Sequence, residues 1–218
     1  MRRGRPGGAR GPRVIAGEQG GLRLVVPKGS RTRPTTDRVK ESVFAALGPG
    51  ILVGARVLDG YAGSGALAIE ALSRGAAHAT LIDRDPRAVD AIRRNLTTTR
   101  LADRATVVRR GFAGHLQGRA PEQPFDLVLL DPPYDLTNPE LGRVLAALTE
   151  PGWLTGAAAV VVERAANAGP PPLPEGWGVA WERIYGDTLV ALVGPDADQD
   201  DPTEARPEDS ADAGPGPA

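Results

Sequence analysis

The chain has 218 residues, 41% of them hydrophobic and 24% charged, which is enough for one sizeable core with additions at its ends. It contains no cysteine, which excludes disulfides and thiolate metal sites, and its only two histidines, His78 and His115, lie far apart in sequence, so no metal is expected. The formal net charge of −1 conceals an asymmetry: residues 195–218 carry eight acids against Arg206 alone, a net of −7, whereas residues 1–40 carry eleven bases against Glu18 and Asp37, a net of +9.

A basic front end suits a polyanionic partner. No stretch approaches the roughly 20 apolar residues that span a bilayer, and no apolar segment follows the basic N-terminus as in a secretory signal. The expectation is a cytoplasmic protein, monomeric, with no membrane partner.

In chain order, residues 1–12 are Arg/Gly/Pro-rich without apolar periodicity and read as a disordered basic leader. Val14-Ile15-Ala16 and Leu22-Arg23-Leu24-Val25-Val26, separated by a Gly-rich turn, predict a β-hairpin or paired short strands. Val39, Val43, Phe44 and Leu47 recur at helical spacing, with Thr36 as a candidate N-cap. That spacing is expected to leave Arg38 and Lys40 near the helix start, away from its buried stripe. Residues 13–50 thus read as an N-terminal extension, in which Arg13, Arg23, Arg31, Arg33, Thr35, Arg38 and Lys40 are candidates for contact with a polyanionic nucleic acid.

From Val57 onward strands and helices alternate. Strands are predicted at 57–59, 79–83, 105–109, 125–130 and 157–163, and helices at about 65–74, 86–98, 112–117 and 139–149. Such alternation predicts a parallel sheet covered on both faces. The ending departs from it: 179–185 and 188–193 are separated only by Gly186-Asp187, a link that joins antiparallel strands. Residues 51–194 therefore read as a Rossmann-like α/β domain of the class I methyltransferase type, a mostly parallel seven-stranded sheet ending in an antiparallel hairpin. Residues 195–218 read as a disordered acidic tail.

Three acids fall at strand ends, where ligands bind in open α/β sheets. Asp59 precedes the turn Gly60-Tyr61-Ala62-Gly63-Ser64-Gly65, whose glycines let a ligand approach the backbone. Asp83, twenty residues after Gly63, is placed to accept ribose hydroxyls. Asp131 opens Asp131-Pro132-Pro133-Tyr134. Gly63-Ser64-Gly65-Ala66-Leu67-Ala68 also satisfies a loose dinucleotide pattern, so a nicotinamide enzyme is an alternative on the loop alone. An acid beside the glycines suits the ammonium of adenosylmethionine and repels a diphosphate.

The tetrapeptide suits an exocyclic amino group. Such a nitrogen is a poor nucleophile because its lone pair is delocalised into the ring. A carboxylate on Asp131 and the Pro132 carbonyl can accept its two N–H groups and draw it towards tetrahedral geometry. The prolines stiffen the turn, and Tyr134 offers a face for base stacking. Its bland alternative is a strand terminator followed by a half-buried turn aromatic.

The segment Arg33-Pro34-Thr35-Thr36-Asp37-Arg38-Val39-Lys40-Glu41-Ser42-Val43-Phe44, the Asp59–Leu67 loop followed by Glu70-Ala71-Leu72-Ser73-Arg74-Gly75, and Asp131-Pro132-Pro133-Tyr134 together resemble the bacterial 16S ribosomal RNA guanine-N2 methyltransferase family, over roughly residues 13–193. The resemblance implies methyl transfer from S-adenosyl-L-methionine to the N2 amino group of one guanine in 16S rRNA or the small ribosomal subunit. It implies a catalytic role for Asp131, Pro132, Pro133 and Tyr134. Cofactor contacts are implied for Asp59, Gly60, Tyr61, Ala62, Gly63, Gly65, Asp83, Arg84, Gly111, Phe112 and Asp131. Arg110-Gly111-Phe112 departs from the acid or amide common near the adenine, which leaves that contact to the Gly111 backbone and Phe112 packing. A DNA adenine or cytosine amino-methyltransferase and a non-catalytic RNA-binding protein remain as alternatives.

Overall fold

A computed structural model of the chain describes residues 11–27 and 37–196. The Thr36 cap, Arg31, Arg33, Thr35, nearly all of the basic leader and nearly all of the acidic tail lie outside the described residues.

The elements are α1 (Asp37–Leu52), β1 (Arg56–Asp59), α2 (Ala66–Ser73), β2 (His78–Asp83), α3 (Pro86–Thr99), β3 (Ala105–Arg109), α4 (Phe112–Leu116), β4 (Phe125–Leu130), α5 (Asn138–Leu148), β5 (Leu154–Ala165), β6 (Trp177–Tyr185) and β7 (Thr188–Pro195). They build one seven-stranded sheet in the order β3-β2-β1-β4-β5-β7-β6. The first five strands pair in parallel, while β7 lies antiparallel between β5 and β6. This is the class I methyltransferase arrangement expected from the alternation and the terminal hairpin.

The period of two along each strand divides the apolar runs between two cores. Val57, Leu127, Leu129, Ala159, Val161, Val190 and Leu192 face a core shared with α1, α2 and α3. Leu58, Val128, Leu130, Val160, Val162, Ala191 and Val193 face the other, shared with α4 and α5. Local chemistry fixes the helix starts. Asp85 caps α3 by accepting from the Arg87 amide at 2.8 Å, with Pro86 in the first turn, and Thr137 with Glu140 forms a capping box on α5.

β5 is longer than the predicted 157–163, because pairing with β4 resumes before a bulge, with Phe125 opposite Leu154 and Leu127 opposite Ala159. α1 bends at Gly48-Pro49, where Gly48 leaves helical geometry.

The N-terminal hairpin is narrow. Arg13 and Arg23 form an antiparallel bridge, closed by Val14 N–H to the Leu22 carbonyl at 2.9 Å and Leu24 N–H to the Pro12 carbonyl at 2.8 Å. Glu70 and Ser73 on α2 fasten it: the Ile15 and Ala16 amides donate to Glu70 at 2.6 and 3.1 Å, and the Gln19 amide donates to Ser73 Oγ at 2.9 Å.

Lys40 corrects the sequence reading. It is fully buried, donates to the Arg13 carbonyl and lies 4.0 Å from Glu70, so it is not an RNA contact. Counting back from Val43 and Phe44 by three and four residues lands on position 40, so Lys40 belongs to the buried stripe. Its apolar stem packs with that stripe and its ammonium is satisfied inside the extension.

Candidate functional site

Because β1 leads through α2 to β2 and β3 on one side while β4 returns on the other, the carboxyl ends of β1 and β4 lie side by side. Asp59 pairs in register with Leu81 of β2 and Leu129 of β4. The sheet order therefore brings Asp59, Asp83 and Asp131 to one crevice, at the topological switch point.

The turn after β1 lies across these strand ends. Gly60 N–H donates to the Leu129 carbonyl at 2.9 Å and Ala62 N–H to the Ile82 carbonyl at 3.0 Å. A Cβ on Gly60 would come within 2.8 Å of Leu130 and Phe112, so only glycine fits between them. Gly65 caps α2 in the left-handed region, at φ 77°.

Asp83 is oriented by two amides: Gly63 N–H donates to Oδ2 at 2.9 Å and Asp85 N–H to Oδ1 at 2.8 Å. Each oxygen keeps a second lone pair for a ligand hydroxyl. Asp59 is 1% exposed and, among the described residues, accepts one long bond, from the Ala68 amide at 3.3 Å. Burial pushes its carboxyl up to about 8, against the Ala68 hydrogen bond, and Asp131 and Asp83 push it the same way. Both charges that act on Asp59 are negative. A crevice of this composition favours a ligand carrying positive charge, and S-adenosyl-L-methionine, with its ammonium and sulfonium, fits that requirement.

Tyr61 meets Phe112 edge to face, with centroids 5.4 Å apart and planes at 64°. Burial, helped by Glu140, pushes its phenol up to about 12, so Tyr61 stays neutral at physiological pH. Phe112 is 3% exposed, whereas Gly111 and Arg84 are exposed at the rim, and the Arg110 amide is occupied by the Asp83 carbonyl at 3.1 Å.

Asp131 directly follows β4 and is half-buried. Pro132 is buried. The Pro133 carbonyl accepts from Leu136 N–H at 2.9 Å, and among the described residues no backbone amide donates to the Pro132 carbonyl. The Pro132 carbonyl therefore remains available as an acceptor next to the Asp131 carboxylate in the chain. Tyr134 is 59% exposed, which sets aside its reading as a half-buried turn aromatic and suits a stacking face.

Of the candidate RNA contacts, Arg13, Arg23 and Arg38 are exposed on the N-terminal extension, and Arg13 Nε is paired to Asp37 at 2.8 Å. Sequence reasoning missed Glu70 as the anchor of this extension and Asn95 as its link to the glycine turn after β1. Asn95 is 1% exposed, accepts from Val25 N–H at 2.8 Å, and donates to the Val25 and Ser64 carbonyls at 2.9 and 2.8 Å. The signal was an asparagine in the stripe Ala88, Ile92, Asn95, Thr99, a buried amide that needs partners.

The family model described as "Conserved hypothetical protein 95" matches residues 12–194. "Ribosomal RNA small subunit methyltransferase D" of Escherichia coli (strain K12) is 38% identical over 180 residues, covering 83% of this chain and 88% of the relative. A Bacillus subtilis (strain 168) protein, YlbH, named as a candidate rRNA methyltransferase, is 39% identical over 184 residues, covering 83% and 97%. The solved structure of yhhF from Escherichia coli, named as a candidate methyltransferase, superposes with a TM-score of 0.75 at 36% identity, covering 85% of this chain and 98% of that one.

Proposed function

The chain belongs to the family described as Conserved hypothetical protein 95, and on that premise we propose that it methylates the N2 amino group of one guanine in 16S rRNA of the small ribosomal subunit, using S-adenosyl-L-methionine. The observation that carries this reading is the convergence of a buried, electrically uncompensated Asp59 with Asp83 and with Asp131-Pro132-Pro133-Tyr134 at adjoining strand ends.

S-Adenosyl-L-methionine supplies, when bound, a methyl group activated by its sulfonium. Asp59 answers its positive charge, with the backbone from Gly60 to Gly65 lining the turn. Asp83 accepts from the ribose hydroxyls, and Gly111 and Phe112 border the adenine. Arg84 stands at the rim of the same side.

Asp131 and the Pro132 carbonyl accept the two N–H groups of guanine N2, which localises the lone pair and aims it. Tyr134 stacks on the extruded base, with Pro133 holding the turn. Most of the acceleration comes from alignment in a confined site. Asp131 need not be a strong base, because the alkylated nitrogen is acidic and its proton passes through the half-exposed carboxylate to water. Extruding the guanine costs a few kcal/mol, least in an unpaired loop.

Residues 13–50 act as the RNA-contacting extension through Arg13, Arg23 and Arg38, with Arg31, Arg33 and Thr35 in the same stretch of sequence. Residues 51–194 form the methyltransferase domain. The enzyme works as a monomer in the cytoplasm, without metal. The test is mass mapping of nucleotides in unmethylated 16S rRNA, free and assembled into small subunits, before and after treatment. A single N2-methylguanine is expected. Methyl incorporation only into duplex DNA would overturn the reading in favour of a DNA enzyme.

A further inference from the structure

The outward face of α3 has no part in the site described above. The helix follows β2 after two residues, so it starts beside Asp83 at the crevice. It buries Ile92 and Leu96 in the core and turns Arg87, Asp90, Arg93 and Arg94 to solvent, three bases against one acid, with Arg84 and Arg100 exposed at its ends. On α5, which packs on the other core, the exposed charges within the helix are Glu140 and Arg143, and they cancel. The basic excess therefore belongs to α3 and not to exposed helix faces in general. Among the described residues the ion pairs are Arg13–Asp37, Lys40–Glu70, Arg74–Glu70 and Arg104–Glu18, so none neutralises the arginines of α3, and the Asp85 carboxylate is engaged in capping the helix.

Helical phase fixes where these groups lie. Ala91 is 5% exposed and sits one turn from Arg87, Arg94 and Asn95 alike. Asn95 holds both the amide and the carbonyl of Val25, so Arg87 and Arg94 border the flank of α3 on which the N-terminal extension is held. In that segment Leu24 is buried while Arg23 and Val25 are exposed, as a period of two demands. Arg94 and Arg87, about 10 Å apart along the helix, thus carry a positive surface from the edge of the extension towards the crevice. We propose that Arg87 and Arg94 of α3, together with Arg23 of the extension, grip the phosphate backbone of the rRNA beside the extruded guanine. The inference rests on the functional reading above and adds α3 to the RNA-contacting surface. A guanidinium fork matches a phosphate bidentately, and such contacts position the strand without reading its sequence.

The test is binding of the full chain to unmethylated small subunits, without methyl donor, across a series of KCl concentrations. Arg87→Ala combined with Arg94→Ala removes two exposed guanidinium groups that no ion pair holds. It is expected to weaken binding about 3- to 30-fold at low salt and to reduce the slope of log Kd against log salt by about 1 to 2. The Kd for S-adenosyl-L-methionine and the single-turnover rate at saturating subunit are expected to stay at wild-type values. Arg119→Ala combined with Arg143→Ala, which removes the same charge from exposed positions on the side of α4 and α5, is expected to change neither affinity nor slope. Wild-type affinity and slope in the α3 variant, or equal losses in the two double variants, overturn the role of α3 while methylation by the wild type keeps the enzyme reading intact. Tighter binding by the α3 variant also overturns it, in favour of the acidic residues 195–218 of the chain itself as the occupant of this face. A wild type that neither binds nor methylates small subunits overturns both readings.

Discussion

Asp59 is the residue whose surroundings ask most plainly for a ligand. With its carboxyl raised to about 8, the ligand-free protein holds a proton there over the range in which an unfolded chain, near 3.8, has lost it. Stability of the ligand-free state therefore falls as pH rises between those values. A cationic methyl donor needs the ionised form, so its affinity should rise up to tenfold per pH unit from about pH 6 to 8 and then level off. Calorimetric titration across that range checks this, and Asp59→Asn should flatten the slope; a flat wild-type profile would contradict the assignment. For Tyr134 the expected loss is that of one stacked base, about 1–3 kcal/mol. Tyr134→Ala should then lower kcat/KM about 5- to 150-fold with the cofactor Kd unchanged, and Tyr134→Phe should restore it. Equal activity in the alanine and wild-type proteins would remove the stacking role. Both residues were legible in the sequence because each sits at a strand end in a motif whose spacing carries chemistry.

The elements show where pattern reading works and where it stops. β1 to β4 and the β6–β7 turn were legible because buried strands are short apolar runs bounded by turn residues. The extra length of β5 was not, since Leu154-Thr155-Gly156 is strand only by virtue of its partner across a bulge. Lys40 was misread because its charge outweighed its helical phase. Glu70 was quoted as part of a motif, yet its task depends on Lys40, Arg74, Ile15 and Ala16, brought together only by folding. Removing it leaves a buried ammonium uncompensated and two amides unpaired, a loss of about 3–5 kcal/mol. Glu70→Ala should therefore lower the Tm by on the order of 10 °C, as read by circular dichroism. A shift within about 2 °C would show that the N-terminal extension is held by apolar contacts such as Val14 and Leu24 instead.

At the scale of the whole molecule, the sheet order makes the site. Five parallel strands reverse direction of growth between β1 and β4, which places the Gly60–Gly65 turn and the Asp131 turn at one crevice, and the β6–β7 turn walls a groove beside Tyr134. Fold class and crevice were readable because alternating strands and helices allow few topologies. The groove beside Tyr134 was not, because Tyr134, Ala165–Asn167 and Gly186–Asp187 come from three stretches of sequence that no local motif connects. Glu70 and Asn95 tie the basic N-terminal extension to α2 and to the turn after β1.

The proposal turns on Asp131 gripping the guanine amino group, with its contact to the cofactor secondary to that task. Single-turnover methyl transfer to unmethylated small subunits, measured beside equilibrium binding of S-adenosyl-L-methionine, separates the two in Asp131→Ala. A loss in rate of about 100-fold or more is expected, with a cofactor Kd within severalfold of wild type. Near-normal turnover in Asp131→Ala, or loss of cofactor binding equal to the loss of rate, would contradict it.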